Sequence, residues 1–85
     1  MTRDAAICAI IDERLRQEAL KAAGKFSSTC ADDISLLYKV TILGEEFGEV
    51  CREVCDIAEL GKHEDNLQVE LTQVAAVCLA WLESL

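Results

Sequence analysis

Apolar residues recur along this chain at intervals of three and four, the spacing that lays side chains along one face of an α-helix. Between residues 3 and 23, Ile7, Ile10, Ile11, Leu15 and Leu20 mark a first helix, and Gly24 supplies a natural stop. The segment "KFSSTCADD", residues 25 to 33, is rich in small and hydroxyl-bearing side chains and reads as a connection. A second helix is predicted from Ala31 or Asp32 to Leu60, with Thr29 as its cap, Asp32 and Asp33 favourable at its positive end, and Gly61 as its stop. "GKHEDN", residues 61 to 66, is a polar turn, with Asn66 expected to cap a third helix from Leu67 to about Glu83. No internal repeat or domain boundary is visible, so residues 1 to 85 read as one all-α domain.

Each helical residue advances by about 100 degrees, which allows the faces of the second helix to be separated. Leu36, Val40, Leu43, Phe47, Val50 and Val54 share one broad face, expected to enter the core. Glu45, Glu46, Glu49 and Glu53 lie opposite, and a solvated acidic face is the simplest reading of them. Toward the amino end, however, the acidic side continues as Ile34, Tyr38 and Ile42, which do not make a freely solvated stripe. The helix therefore calls for apolar contacts on two sides, one of them from another subunit. Gly44 and Gly48 each cost about 1 kcal/mol of helix preference relative to alanine.

The third helix presents an apolar stripe of Leu67, Leu71, Val74, Val77, Cys78 and Trp81, and Glu70 projects into the same sector. A glutamate on a packed face is costly without a positive partner, a proton or a metal. If the second and third helices pack together, Glu70 approaches the Glu45 to Glu49 face and completes an oxygen-rich site. Such a site suits Mg2+, a hard ion that keeps several waters and bridges substrate phosphates to carboxylates. Gln73, three residues after Glu70, is placed to support it or to orient water, and Glu53 to stand just behind it.

Composition narrows the function classes. The chain is 52% hydrophobic and 28% charged with no proline, which favours packed helices over disorder. Sixteen acids against eight Lys and Arg give a net charge of -8, which opposes binding of a nucleic-acid polymer while leaving a small phosphorylated substrate open through divalent ions. Five cysteines without a CxxC pair fit neither a disulfide framework nor a zinc ribbon; free thiols suit a reducing cytoplasm. No signal peptide is apparent at the amino end, and no run approaches the roughly 20 apolar residues of a membrane span. Trp81 reads first as packing, His63 as exposed in its connector, and Arg14, Lys21, Lys25, Lys39 and Arg52 first as surface charges.

The paired acidic segments resemble the MazG-like all-α nucleoside triphosphate pyrophosphohydrolases, particularly the small phage or integron-cassette type. "EEFGE", Glu45 to Glu49, has the EExxE pattern, and "ELTQ", Glu70 to Gln73, stands where the family has ExxD. "ERLRQ", Glu13 to Gln17, and the carboxyl-terminal "ELTQVAAVCLAWLESL" extend the similarity over most of residues 10 to 85.

The resemblance implies Mg2+-dependent, or Mn2+-dependent, hydrolysis of a nucleoside triphosphate between the α and β phosphates, giving a monophosphate and pyrophosphate. It implies Glu46, Glu49, Glu70 and Glu45 as metal ligands, with Glu45 or Glu49 as the base that activates water. Arg14, Lys39 and Tyr38 are the candidates for substrate contact. It also implies a three-helix protomer whose pairing, as a homodimer or within a homotetramer, builds a four-helix core from helices two and three, with helix one across the outside. Gln73 departs from the family's aspartate: an amide oxygen coordinates without charge and cannot serve as a carboxylate base. The second reading is accordingly a noncatalytic or weakly active member that binds nucleotides or a protein partner.

Overall fold

The computed structural model describes residues 1–85 and contains three helices and no strand. Helix α1 spans Arg3–Ala22, α2 spans Leu36–Leu60 and α3 spans Asp65–Glu83. The Thr2 hydroxyl accepts from the Ala5 N–H at 3.1 Å and opens α1, while Gly24, at φ +76°, takes the chain away from its end. Gly61, at φ +67°, is the left-handed cap of α2, and its N–H donates to the Ile57 carbonyl at 3.2 Å. Both predicted stops therefore fall where a left-handed turn is needed.

The start of α2 differs from expectation. It begins at Leu36, capped by the Ser35 hydroxyl, which accepts from the Tyr38 N–H at 3.1 Å. Asp32 is engaged elsewhere: its carboxylate accepts from Lys21 Nζ at 2.6 Å and from the Thr29 N–H at 2.8 Å. This closes a turn over residues 29 to 32 rather than the first turn of a helix. Asn66 likewise does not cap α3, which starts at Asp65; its amide reaches back to the acids instead.

Helix α3 packs against both other helices, whereas α1 and α2 make no direct helix–helix contact. The order is thus α1, α3, α2 across the protomer, with α3 in the middle. Small residues let both neighbours approach: Ala76 and Ala80 are buried together with Val77, and Cys30 from the connector completes the centre. Ile42, Leu43 and Trp81 pack against that cluster, so Trp81 belongs to the packing. Arg14 crosses from α1 to α3, its guanidinium donating to Glu83 Oε2 at 2.9 and 3.1 Å and to Glu18 at 3.1 Å.

The predicted core face of α2 is the correction with the widest consequences. Leu36, Val40, Phe47 and Val54 are exposed in the protomer, Phe47 at 60%, whereas Leu43 and Val50 of the same predicted face are half-buried and Leu43 packs against the centre. The side that meets α3 carries Lys39, Ile42, Glu46 and Glu53. Polar groups are tolerated there because most are paired: Glu53 accepts from Lys62 Nζ at 2.7 and 2.9 Å and from Asn66 Nδ2 at 2.6 Å. A Cβ built at Gly44 or Gly48 meets nothing within 4 Å, so neither glycine serves close packing inside one protomer. All five cysteines are free thiols. No helix is long and apolar enough to cross a membrane.

Candidate functional site

Helix α2 carries Glu46 and Glu49 at i and i+3, on adjacent turns of the face that meets α3, and α3 brings Glu70 up to them. Each of the three offers a carboxylate oxygen within 4.8 Å of the others. Glu46 and Glu70 are half-buried and Glu49 is exposed, so the cluster opens to solvent on one side. The Oε2 atoms of both Glu46 and Glu70 are buried without a hydrogen-bond partner.

The electrostatics follow from that crowding. Burial, and then the Glu49 and Glu70 charges, push the Glu46 carboxyl above the usual carboxylate range. Glu70 is raised for the same reasons, burial first and its neighbour Glu49 second. One cation among the three would relieve both the repulsion and the desolvation. Buried oxygens lacking protein partners, in an all-carboxylate set, fit a hard divalent ion such as Mg2+ or Mn2+.

Asn66 fastens the cluster to its surroundings. Its amide donates to Glu53 Oε1 at 2.6 Å and lies 3.5 Å from Glu70 Oε1, linking Glu70 to the Glu53–Lys62 pair. Hydrogen bonds from Lys62 and then Asn66 hold the Glu53 carboxyl below its ordinary range, so Glu53 is a committed anion that orients Asn66. Glu53 thus reaches Glu70 through the Asn66 amide.

A cavity of about 380 Å³ adjoins the cluster, with Glu46 in its wall. Helix α1 contributes Glu13, Arg16 and Gln17 to it; α2 contributes Tyr38, Ile42 and Glu45; α3 contributes Gln73 and Val77; the connector from Lys25 to Cys30 closes the remaining side. Arg16 is held by Glu13 through Nε at 2.7 Å and Nη2 at 2.9 Å. The cavity exists because α1 and α2 stand apart on either side of α3.

The substrate-facing candidates divide on this geometry. Tyr38 and the candidate base Glu45 line the cavity, and Gln73, like Glu46, lies in its wall. Arg14 and Lys39 do not line it; they are buried at 6% and 4% exposure, Arg14 in its ion pairs and Lys39 with Nζ donating to Ser84 Oγ at 2.6 Å. Neither is the solvated surface charge that an acidic helical sequence suggests. Lys21 is taken by Asp32. The cations beside the cavity are Arg16 and Lys25. Reading residues 25 to 33 as a plain connection missed Phe26, Ser27, Ser28 and Thr29 as cavity wall; the one available signal was an aromatic ring in an otherwise small and polar segment.

In comparisons with protein-family models, curated proteins and solved structures, this chain matches none of them, and the functional reading rests on the geometry and chemistry above.

Proposed function

We propose that this protein is a divalent-cation-dependent nucleoside triphosphate pyrophosphohydrolase, acting between the α and β phosphates. The single observation that carries the reading is the convergence of Glu46, Glu49 and Glu70 from two helices, with two buried carboxylate oxygens unpartnered, at the edge of a ligand-sized cavity. An acidic helix alone would leave those oxygens in water.

Glu46, Glu49 and Glu70 would hold Mg2+ or Mn2+, which when bound offsets negative charge on the phosphate oxygens and the pyrophosphate leaving group. Glu45 is exposed, lines the cavity and stands outside the three-carboxylate cluster, which favours it over Glu49 as the base. In the reaction, a water oxygen bonds to the α phosphorus while the bond from that phosphorus to the bridging oxygen breaks. The bond's electron pair leaves with pyrophosphate, and the water proton passes to the Glu45 carboxylate. Glu53 and Asn66 keep Glu70 in position throughout. Lys25 and Arg16, at the cavity, are the cations placed to meet a phosphate.

The exposed face of α2 supports pairing of two copies. Leu36, Val40, Phe47 and Val54 repeat at the intervals that helix–helix packing uses, and all four are exposed in one protomer. A second copy laid on this face, as a homodimer or within a homotetramer, builds the four-helix core. The free thiols suit a cytoplasmic setting.

Gln73 favours a second reading, a nucleotide-binding protein with little or no turnover, because its amide adds no negative charge to the cavity wall it shares with Glu46. A product-resolved assay of ordinary and modified nucleoside triphosphates with Mg2+ or Mn2+ separates the two. Pyrophosphate with the matching monophosphate supports hydrolysis; orthophosphate as sole phosphate product rules this reaction out; binding without turnover selects the second reading.

A further inference from the structure

Helix α1 leaves an apolar face of its own in water. Arg14 and Gln17 are its buried residues, and Arg14 crosses to Glu83 on α3. Ile7, Ile11 and Leu15 recur every four residues on the neighbouring sector, and all three stay exposed, Leu15 at 64%. This face is distinct from the apolar side of α2, because α1 and α2 make no direct contact. It also takes no part in the four-helix core proposed above, which α1 crosses on the outside. An uncovered apolar ladder along one helix is a surface on which a second helix docks.

Charge decides what covers it. Asp4 and Glu18 stand seven residues to either side of Ile11, so the ladder runs Asp4, Ile7, Ile11, Leu15, Glu18, with Asp12 on its flank. Asp4 and Asp12 are exposed and have no ion pair within the chain, and the Glu18 carboxylate, although it meets Arg14 at 3.1 Å, stays partly exposed. Arg14, Arg16 and Lys21 are each taken by a carboxylate, which leaves Arg3 as the one unpaired cation of α1. Two copies laid ladder to ladder bring acid onto acid: antiparallel about Ile11, Asp4 faces Glu18 twice, and in parallel each acid faces itself. Like charges so placed oppose association, so a second copy is a poor occupant, and an anionic lipid surface is a poor one for the same reason. A helix with an apolar ridge bordered by Lys or Arg satisfies both the ladder and its acids.

We propose that the face of α1 formed by Ile7, Ile11 and Leu15 docks a basic amphipathic helix of another protein. From Asp4 to Glu18 the ladder is about 21 Å long, at about 1.5 Å per residue, which corresponds to about four turns of the partner. Basic residues at the two ends of the partner's ridge meet Asp4 and Glu18, and one on its flank meets Asp12. On the Asp12 side a groove of about 390 Å³ runs between α1 and α3, lined by Ala9, Asp12, Val69 and Thr72 among others, and the exposed Val69 gives the partner's side chains an apolar seat there. Neither the ladder nor its acids belong to the carboxylate cluster, so the docking face stands whether or not the chain hydrolyses a nucleotide.

The test is titration of the full chain with two synthetic peptides of about 18 residues, long enough to span the ladder. Both carry Leu at intervals of three and four; one has Lys at the remaining positions and the other Glu. Binding is followed by fluorescence anisotropy and by the backbone amide resonances of the chain. The Lys peptide is expected to bind at least about tenfold tighter than the Glu peptide and to shift the amides of residues 4 to 18. Ile11→Lys is expected to weaken it by about tenfold or more, and Asp4→Asn combined with Asp12→Asn to weaken it at low salt and to flatten its salt dependence. Leu15→Lys, at the most exposed rung, repeats the test should Ile11→Lys fail to fold. Binding of neither peptide, equal binding of both, or shifts confined to Phe47 and Val54 on α2 overturns the proposal. So does a free chain whose sedimentation changes in Ile11→Lys, which makes a second copy the occupant, or binding of phosphatidylcholine vesicles that Ile11→Lys abolishes, which makes it a lipid surface.

Discussion

Glu46 on α2 and Glu70 on α3 converge on the same space, and each leaves its Oε2 atom buried with no hydrogen-bond partner. Two half-buried carboxyls, each with one buried oxygen unpartnered, oppose the packing of the helices that carry them. A bound divalent ion reverses that penalty, so Mg2+ or Mn2+ should stabilise the chain even without nucleotide. At a cation concentration of about 100 times Kd the gain is about 2.7 kcal/mol, a rise in Tm of roughly 11 to 22 °C for a domain this size. Thermal denaturation with and without cation measures it. Glu46→Gln or Glu70→Gln should shrink the rise to a small fraction, and an undiminished rise in both variants would show that the ion binds elsewhere.

The same crowding predicts an asymmetric dependence of stability on pH. Glu46 and Glu70 have raised carboxyls in the folded chain, chiefly through burial. Their folded state binds protons more tightly than the unfolded one, so their contribution is fully present below the ordinary carboxylate range and is lost as pH rises through the folded value. Glu53 and Asp32 are lowered, first by Lys62 and Lys21 respectively, and their contribution is present above the ordinary range and lost as pH falls. Denaturant melts in chelator should therefore show stability falling toward both acid and neutral pH. Glu46→Gln should flatten the fall toward neutral pH and Glu53→Gln the acid side; identical profiles for all three proteins would contradict the assignment.

Arg14 is predicted to matter for folding rather than for substrate. It joins α1 to α3 through Glu83 while its own side chain is nearly inaccessible. Arg14→Ala should lower stability by about 1 to 3 kcal/mol, discounted for the partial exposure of Glu83, without shifting nucleotide affinity in whatever fraction stays folded. Denaturation and equilibrium binding on the same variant check both halves, and weakened binding by a fully folded variant would return Arg14 to the site.

Phe47, Val40 and Val54 form an apolar face that one protomer leaves in water. Phe47→Glu should dissociate paired copies, and sedimentation should move from a multiple of the protomer mass to the 9.3 kDa protomer. A wild-type chain that already sediments as that protomer at every concentration would remove the pairing from the account.

Much of the fold was legible because helix stops and periodicity are local. Gly24 and Gly61 end helices where only a residue tolerant of positive φ does so without strain, and three periodic stretches became three helices. The pairing of Glu70 with Glu46 and Glu49 was legible too, because a glutamate among Leu67, Leu71 and Val74 needs a partner from outside its own helix. What periodicity does not decide is which of two competing faces meets a neighbour. Helix α2 carries an apolar face and a mixed one, and the mixed face is tolerated against α3 within the protomer because Lys62 neutralises Glu53 and Asn66 donates a hydrogen bond to it. Lys39 and Arg14 were misread as surface charges for a related reason: their partners, Ser84 and Glu83, lie 45 and 69 residues away in sequence. The cavity wall at Phe26 to Thr29 depends on how far apart α1 and α2 stand, which no local pattern encodes.

The most direct test of metal-dependent attack at the α phosphorus is hydrolysis of a nucleoside triphosphate in water enriched in the heavy oxygen isotope, with Mg2+ present and products resolved by phosphorus NMR. The account predicts that the label enters the nucleoside monophosphate alone, and that Glu49→Gln abolishes its entry. Label in pyrophosphate or orthophosphate, or an unchanged rate in Glu49→Gln, would contradict it.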